Sequence, residues 1–188
     1  MSVRQARKFV ETATIIAALS LTLTGYAFAA TDMFLKVDGI KGESVDSKHK
    51  DEIEILAWSW GASNSGNAHM GGGGGSGKVN VQDISITKYV DKASPLLMKK
   101  VCQGDHIKEM YLVVRKAGAK PLEYLKIKLE DCLVSSVSTG GSGGQDRLTE
   151  NISFNFAKFQ MQYIAQDAKG AAAGEVPFAF DIKANKSL

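Results

Sequence analysis

Residues 70–81, MGGGGGSGKVNV, contain a pattern that could bind nucleotide phosphates, because residues 72–78 match GxxxxGK. In a phosphate-binding loop the glycines open a helix N-terminus, the lysine reaches the phosphates, and a following Ser or Thr holds Mg²⁺. Val79 occupies that Ser/Thr position, and KVNVQDISITKYV has the β-branched content and alternation of a strand. The segment therefore predicts a loop that leads into a strand, and we expect neither nucleotide binding nor any other cofactor.

A second pattern, GGSGG at residues 140–144, matches the GxSxG of serine hydrolases with Ser142 as nucleophile. That motif works only in a strand-to-helix turn with a histidine in reach. The strand pattern QDRLTENISFNF follows it instead, and His49, His69 and His106 lie in polar or glycine-rich surroundings without metal-ligand spacing. We expect no catalytic residue, no metal site and no enzyme.

Both glycine-rich segments are predicted to be loops whose backbone can adopt positive φ and approach a neighbouring surface closely, since glycine has no Cβ. The glycines are Gly72, Gly73, Gly74, Gly75 and Gly77 in the first segment and Gly140, Gly141, Gly143 and Gly144 in the second.

The first 29 residues have the features of a secretory leader. Arg4, Arg7 and Lys8 make a basic start, residues 15–23 are mostly apolar, and AFA at residues 27–29 has the small-residue spacing of a cleavage site. The apolar run is shorter than the ~20 residues of a bilayer-spanning helix. We therefore predict two regions: residues 1–29, a signal peptide or a mis-assigned N-terminal extension, and residues 30–188, one domain.

The charge and cysteine content exclude some partners. Removing residues 1–29 takes away three basic residues and one acidic residue, so the formal net charge falls from +3 to +1. No basic cluster interleaved with aromatics remains, so we expect no nucleic-acid partner and no stable membrane insertion. Cys102 and Cys132 could pair in an oxidising compartment or remain as two reduced thiols.

Period-two alternation dominates the rest of the chain and predicts half-buried strands. The faces assigned by this alternation are Met33, Leu35 and Val37 against Phe34 and Lys36; Ile53, Ile55, Ala57 and Ser59 against Glu54, Leu56, Trp58 and Trp60; Leu125, Ile127 and Leu129; and Val176, Phe178, Phe180 and Ile182. The phase slips by one near Gln82-Asp83 and near Ala157-Lys158, which predicts a bulge or sharp bend at each place. We expect an all-β fold in which these bends curl a sheet into a barrel.

One short helix is expected, with Ser94 as its N-cap, Pro95 in its first turn and Gly104 at its end. In the strand pattern of residues 53–60, Trp58 and Trp60 are expected to pack in the core, since large aromatic side chains usually do. Ser59 and Ala57 then fall on the other face, either as ordinary exposed positions or as a surface that another molecule approaches.

Several long stretches, in order, resemble the Hcp (haemolysin-coregulated protein) family, which forms the tube of type VI secretion. They are DMFLKVDGIKGES, EILAWSWGAS, HMGGGGGSGKVNVQDIS, TKYVDKASP, LVSSVSTGGSGGQDRLTEN and FDIKAN. The resemblance covers the chain from Asp32 to Leu188 and implies a two-sheet β-barrel with one short α-helix that assembles as a hexameric ring. It also implies that the rings stack into a tube inside a contractile sheath, behind a spike protein, and carry or chaperone effector proteins in the lumen.

The resemblance assigns roles to two sets of residues. Residues 41–51 match an extended loop that reaches a neighbouring subunit, with Glu43, Lys48 and Lys50 as polar contacts; the alternative is a solvated loop. Ser59 and Ala57 would line the lumen, where small side chains leave room for a passenger.

The leader departs from the family, whose members are expected to reach the sheath from the cytoplasm. The resemblance implies a secreted protein, cytoplasmic before firing if the leader is not real and in periplasmic transit if it is. The alternative function is a freestanding secreted hexameric binding protein, an adhesin or toxin-like protein, that uses no sheath.

Overall fold

Six strands close into a barrel because β8 pairs with β7 on one edge and with β5 on the other. Around the barrel the order is β8-β5-β2-β1-β6-β7, and every pair is antiparallel. The barrel strands are β1 Thr31–Val37, β2 Ile53–Ser59, β5 Ile84–Tyr89, β6 Ile107–Lys116, β7 Leu122–Thr139 and β8 Thr149–Gln166. The expected all-β barrel with one short helix is confirmed.

Four short or peripheral strands complete the sheet structure. The two-residue strands β3 (Ala62–Ser63) and β4 (Asn80–Val81) pair with each other. On the far edge of β8 lies β9 (Ala172–Asp181), and β10 (Lys186–Ser187) pairs with the end of β9. The main sheet therefore extends past the closed barrel on one side.

The computed structural model describes residues 31–64, 78–118, 121–168 and 170–188. Thr31–Leu188 forms one compact unit. The predicted leader, residues 1–29, lies outside the described residues, and so do Gly72, Gly73, Gly74, Gly75 and Gly77.

Both expected phase slips are present. Val81 ends β4 and Ile84 begins β5, so the chain passes from the small hairpin to the barrel at Gln82-Asp83. In β8, Phe156 and Phe159 are both buried although regular alternation would place positions three apart on opposite faces.

The slip in β8 has a counterpart in β7 that the sequence analysis missed. Leu129 and Cys132 are likewise both buried, and Asp131 between them has a φ of 54°. Because the ladder pairs Glu130 with Lys158 and Cys132 with Phe156, the two slips face each other. The paired slips bend both long strands at one level and divide the barrel into two sheets.

The apolar sets of the strands meet in one core between these two sheets. Its buried members include Leu35, Ile53, Ile86, Met110, Leu112, Ile127, Leu129, Ile152 and Phe154. Trp58 and Trp60 pack against it as expected, and the Trp60 ring meets Phe159 edge to face at 4.8 Å. Aromatic pairs of this geometry stabilise a core beyond the area they bury.

Helix α1 runs over Ser94–Gln103, with Pro95 in its first turn and Gly104 ending it at φ 66°. The expectation that Ser94 is the N-cap was wrong, because Ala93 occupies the cap position. Alanine has no side chain to cap the helix, and in the turn before it Asp91 Oδ1 accepts a hydrogen bond from the Ala93 N–H at 2.9 Å. Ser94 is buried and serves a polar cluster instead.

That cluster centres on Lys88, whose side chain is 0% exposed. Its Nζ lies 2.6 Å from Asp91 Oδ1, 2.8 Å from Glu150 Oε1 and 3.1 Å from Ser94 Oγ. Ser94 Oγ also donates to Glu150 Oε1 at 2.7 Å. The cluster joins β5, α1 and β8, and a buried ammonium needs such a complete set of partners.

Candidate functional site

A row of four serines crosses one sheet of the barrel on its outer side. The strand register places Ser59 opposite Ser85, Ser85 opposite Ser153, and Ser153 opposite Ser136. The Ser85 and Ser153 hydroxyls are hydrogen-bonded at 2.7 Å. Four strands, β2, β5, β8 and β7, thus bring together residues that are distant in the sequence.

A second row runs beside the first and has the same character. It comprises Ala57, Thr87, Asn151 and Ser138. Thr87 Oγ1 donates to Asn151 Oδ1 at 2.7 Å. We call these two rows together the polar face: Ala57, Ser59, Ser85, Thr87, Ser136, Ser138, Asn151 and Ser153. None of the eight side chains carries a charge.

A β-bulge explains why Ser59 and Ala57 lie on the polar face. The alternation had put Ile53, Ile55, Ala57 and Ser59 on one face, and this assignment was wrong. The β2–β5 register shifts between Ile55 and Ala57, so Leu56 is the extra residue. Ile53 and Ile55 therefore share the core side with the two tryptophans, while Ala57 and Ser59 are exposed.

The polar face has defined limits. Beyond the serine row, Asp83 accepts hydrogen bonds from Ser135 Oγ at 2.5 Å and Asn155 Nδ2 at 2.8 Å. Past the second row, a cavity of about 380 Å³ is lined by Ser138, Asn151 and the β7–β8 loop. The face is thus a small, uncharged, hydrogen-bonding surface.

The opposite sheet presents a charged row at its outer side. Across β6, β7, β8, β9 and β10 the register aligns Glu109, Glu130, Lys158, Asp181 and Lys186. Lys158 Nζ lies 3.2 Å from Asp181 Oδ2. A hydrogen bond from the Ala184 N–H lowers the pKa of Asp181 the most, and one from the Lys158 ammonium lowers it further. The two outer sides of the barrel therefore differ in charge.

Comparison with known proteins identifies the family. The family model described as "Type VI secretion system effector, Hcp" matches residues 34–163. Over 158 residues the chain is 59% identical to "Protein hcp1" of Pseudomonas aeruginosa, an alignment that covers 83% of this chain and 98% of that protein. The chain belongs to the Hcp family.

Solved Hcp structures share its fold. The crystal structure of Hcp1 from Salmonella typhimurium is 39% identical with a TM-score of 0.69, covering 85% of this chain and 99% of that one. A structure described as that of a type six secretion system protein is 32% identical with a TM-score of 0.80, covering 85% of this chain and 100% of that one. The resemblance to the Hcp family of type VI secretion, predicted from the sequence, is confirmed.

Within this Hcp fold, residues 41–51 connect β1 to β2 and pack on their own barrel. Arg115 donates two hydrogen bonds to Asp46, at 2.6 and 3.1 Å, and two to Asp32, at 2.9 and 3.3 Å. These hydrogen bonds hold the pKa of Asp46 far below its usual value and raise that of Arg115. Sequence analysis missed this pair because its partners are distant along the chain.

His49 anchors the same loop near its C-terminal end. Its ring stacks on Phe34 at 4.2 Å and is buried, with Nδ1 2.8 Å from Glu52 Oε2 and Nε2 3.5 Å from Glu123 Oε1. His49 is thus a structural residue of the loop.

The three polar residues predicted to contact a neighbour, Glu43, Lys48 and Lys50, have different surroundings in the structure. Glu43 Oε1 accepts a hydrogen bond from the Lys92 N–H at 3.1 Å, so it contacts its own chain. Lys48 and Lys50 are exposed and available to another molecule.

The second glycine segment forms the loop of the β7–β8 hairpin, and Ser142 therefore lies between two antiparallel strands. Gly144 has a φ of 97°, and a Cβ at Gly141 would collide with the Leu148 side chain. Of these two positions, Gly144 has the backbone conformation that favours glycine.

Cys102 and Cys132 are free thiols, the first exposed and the second buried. Burial raises the pKa of Cys132 to about 12, with smaller contributions from Asp131 and Glu130. In the described part of the chain, no three His, Cys, Asp or Glu side chains are grouped to hold a metal ion. No helix in that part is long and apolar enough to span a membrane.

Proposed function

We propose that the chain is the tube subunit of a type VI secretion system, and that its polar face lines the lumen of a hexameric ring. The observation that carries this proposal is the uncharged surface of eight small residues on one side of an amphipathic sheet. Small side chains keep a channel wide, and hydroxyl and amide groups can hydrogen-bond many passenger surfaces. The lumen would accordingly hold effector proteins through neutral contacts.

The sheet that carries the polar face also has edges suited to ring formation. β1 pairs with β2 only at Ile53 and Glu54, and β6 reaches β7 only as far as Cys132. In the described part of the chain, the rest of β2 and the end of β7 have no strand on their outer edges. Copies related by rotation could place such edges side by side, and head-to-tail contacts close when the angle is fixed.

The proposal assigns the chain a structural and carrier role without a chemical step. Rings would stack into a tube within a contractile sheath, behind a spike protein, and the tube would carry effectors out of the cell. The Ser142 hydroxyl lies in a hairpin loop, and His49 and His106 are engaged by Glu52 and Asp131. These two histidine contacts belong to the packing of the fold.

Ser59→Gln tests the lumen assignment. The substitution would place six longer side chains in each ring, so we expect at least a roughly tenfold loss of co-purifying effector proteins, since a clash removes a whole contact surface. Ring assembly is measured by size-exclusion chromatography with light scattering, and effector content by quantitative mass spectrometry. The matched control is Lys108→Gln, an exposed position on the opposite sheet. Intact rings with unchanged effector content would contradict the assignment.

The leader-like residues 1–29 favour a second candidate, a freestanding secreted hexameric binding protein that uses no sheath. The two candidates differ in route. A tube subunit keeps its leader region or begins after an internal start, and its export stops when a sheath gene is deleted. A freestanding protein begins at Ala30, and its export continues without the sheath. Mass spectrometry of the N-terminus in cytoplasmic, periplasmic and medium fractions separates the two.

A further inference from the structure

A cavity of about 300 Å³ lies between the small β3–β4 hairpin and strands β8 and β9. Phe159 of β8 and Phe178 and Phe180 of β9 form its aromatic side, and Val81 of β4 and Ala62 of β3 line it from the hairpin. We call this cavity the aromatic pocket. None of its described lining residues belongs to the polar face, so the pocket is a second place where the protein can hold another molecule.

The aromatic side of the pocket is fixed by contacts between rings. The Phe159 ring meets Trp60 edge to face at 4.8 Å and is only 6% exposed. The Phe178 ring is 51% exposed, and its centroid lies 5.8 Å from that of Phe159 and 6.3 Å from that of Phe180. Because neighbouring rings already restrict these side chains, a ligand that covers them loses less binding free energy to side-chain ordering.

The pocket has the composition of a ligand site. Apolar and aromatic side chains form most of its wall, no described charged side chain lines it, and two carboxamides, Asn64 and Asn185, supply its polar groups. Ligand sites typically combine such a wall with a few polar groups, in volumes from roughly 300 Å³ upward. An apolar cavity of about 150 Å³ is enough for a benzene ring. The aromatic pocket can therefore hold one aromatic ring together with the polar groups attached to it.

The two carboxamides are available to a ligand. Asn64 and Asn185 are both exposed, and neither side chain has a hydrogen-bond partner among the described residues. The Asn185 backbone is held in place, since its N–H donates to the Ile182 carbonyl at 3.3 Å. A carboxamide donates from its NH₂ group and accepts at its oxygen, which is the complement of a peptide C=O and N–H.

We propose that the aromatic pocket binds an aromatic side chain in an uncharged segment of a partner protein, with the Asn64 and Asn185 carboxamides hydrogen-bonded to the peptide groups beside that side chain. Offset or edge-to-face contact with Phe178 favours a ring over an aliphatic side chain. A charged segment is disfavoured, because a charge buried against this wall would have no counter-ion. The proposal holds whether or not the chain forms the proposed ring.

N-acetyl-L-phenylalaninamide, a phenyl ring between two peptide groups, is the probe for this site. Methyl NMR spectra of the full chain follow Ala62, Val79 and Val81, whose methyl groups line the pocket. We expect saturable shifts at these methyl groups with a Kd of about 1 mM, as suits a ligand of this size. N-acetyl-L-alaninamide lacks the ring and toluene lacks the peptide groups, so each should bind at least roughly threefold more weakly. The absence of saturable shifts at all three residues overturns the proposal.

Two variants test the two parts of the site separately. Asn185→Gly removes one carboxamide, and glycine accepts the φ of 52° at this position. It should bind the peptide probe at least roughly threefold more weakly and toluene as the wild type does. Ala62→Leu fills the pocket and should weaken both probes at least roughly fivefold. Its matched control is Ser63→Leu, at the next exposed position of β3, which should bind both probes as the wild type does.

Other occupants of the pocket give different results. Toluene that binds as tightly as the peptide probe would identify a free aromatic compound as the ligand and overturn the assignment to a protein segment. A peptide probe that lowers the molar mass measured by light scattering as it saturates the shifts would show that a second copy of the chain fills the pocket, which also overturns the assignment. Wild-type affinity for the peptide probe in a folded Ala62→Leu variant overturns the site itself. The lumen assignment is unaffected by any of these results, because the polar face has its own test.

Discussion

Replacing Lys88 by methionine should destabilise the fold severely. Lys88 is fully buried, and methionine keeps most of its volume while removing the ammonium. Glu150 and Asp91, which lie 2.8 and 2.6 Å from Nζ, would then be buried without their cation. Breaking a buried ion pair by removing one partner costs about 3–5 kcal/mol, because the remaining charge is left uncompensated.

Urea unfolding followed by the fluorescence of Trp58 and Trp60 measures this cost. With a slope of about 2 kcal/mol/M, a loss of 4 kcal/mol corresponds to a midpoint shift of about 2 M. All variants are compared at one protein concentration, since the proposed ring would add concentration-dependent stability. The matched control, Lys108→Met, alters an exposed lysine and should change the free energy of unfolding by less than about 0.5 kcal/mol.

A double substitution distinguishes lost charge compensation from lost packing. Lys88→Met with Glu150→Met removes both members of the pair, and well-packed apolar replacements of a buried pair are often neutral. We expect the double variant to recover more than half of the loss, with the rest due to Asp91. A loss below about 1 kcal/mol in Lys88→Met, or a double variant as unstable as the single one, would refute the electrostatic account.

Two further predictions concern acid and thiols. Asp46 has a pKa below its unfolded value of 3.8, so it stabilises the fold above pH 4, and this contribution disappears as the pH falls through its folded pKa. The melting temperature of Asp46→Asn should therefore lie below that of the wild type at pH 6 and approach it below pH 3; a constant difference would contradict this. Burial and a pKa of about 12 should protect Cys132, so a thiol reagent at pH 8 should label one cysteine per native chain, Cys102, and two after denaturation. Two labels before denaturation would disprove the protection.

The sequence predicted those features that leave a local signal. Phe156 and Phe159 are two buried apolar residues three positions apart in one strand. Regular alternation would place them on opposite faces, so this spacing indicates a bend. Pro95 and Gly104 marked the helix correctly. The Leu56 bulge left no comparable signal, because Ile55, Leu56 and Ala57 fit either phase of the alternation.

The missed features depend on partners that are far apart in the chain. Arg115 contacts Asp46 across 69 residues, and Ser85 meets Ser153 across 68. Lys88 did leave a signal, since it continues the alternation of the buried Ile84 and Ile86. A lysine at the next core-facing position is normally interpreted as the point where the strand leaves the core, because lysine is almost never fully buried without a partner. Its two acids became visible only when the fold placed β8 and the turn before α1 beside β5.

The Leu56 bulge is the departure from regular strand geometry on which the proposed lumen depends. Ile53 and Ile55, before the bulge, are buried in the core. After the bulge, Ala57 and Ser59 lie opposite Thr87 and Ser85 of β5 and belong to the polar face. A change that removes the bulge should therefore alter the packing of β2 and effector binding together, whereas Ser59→Gln should alter effector binding alone.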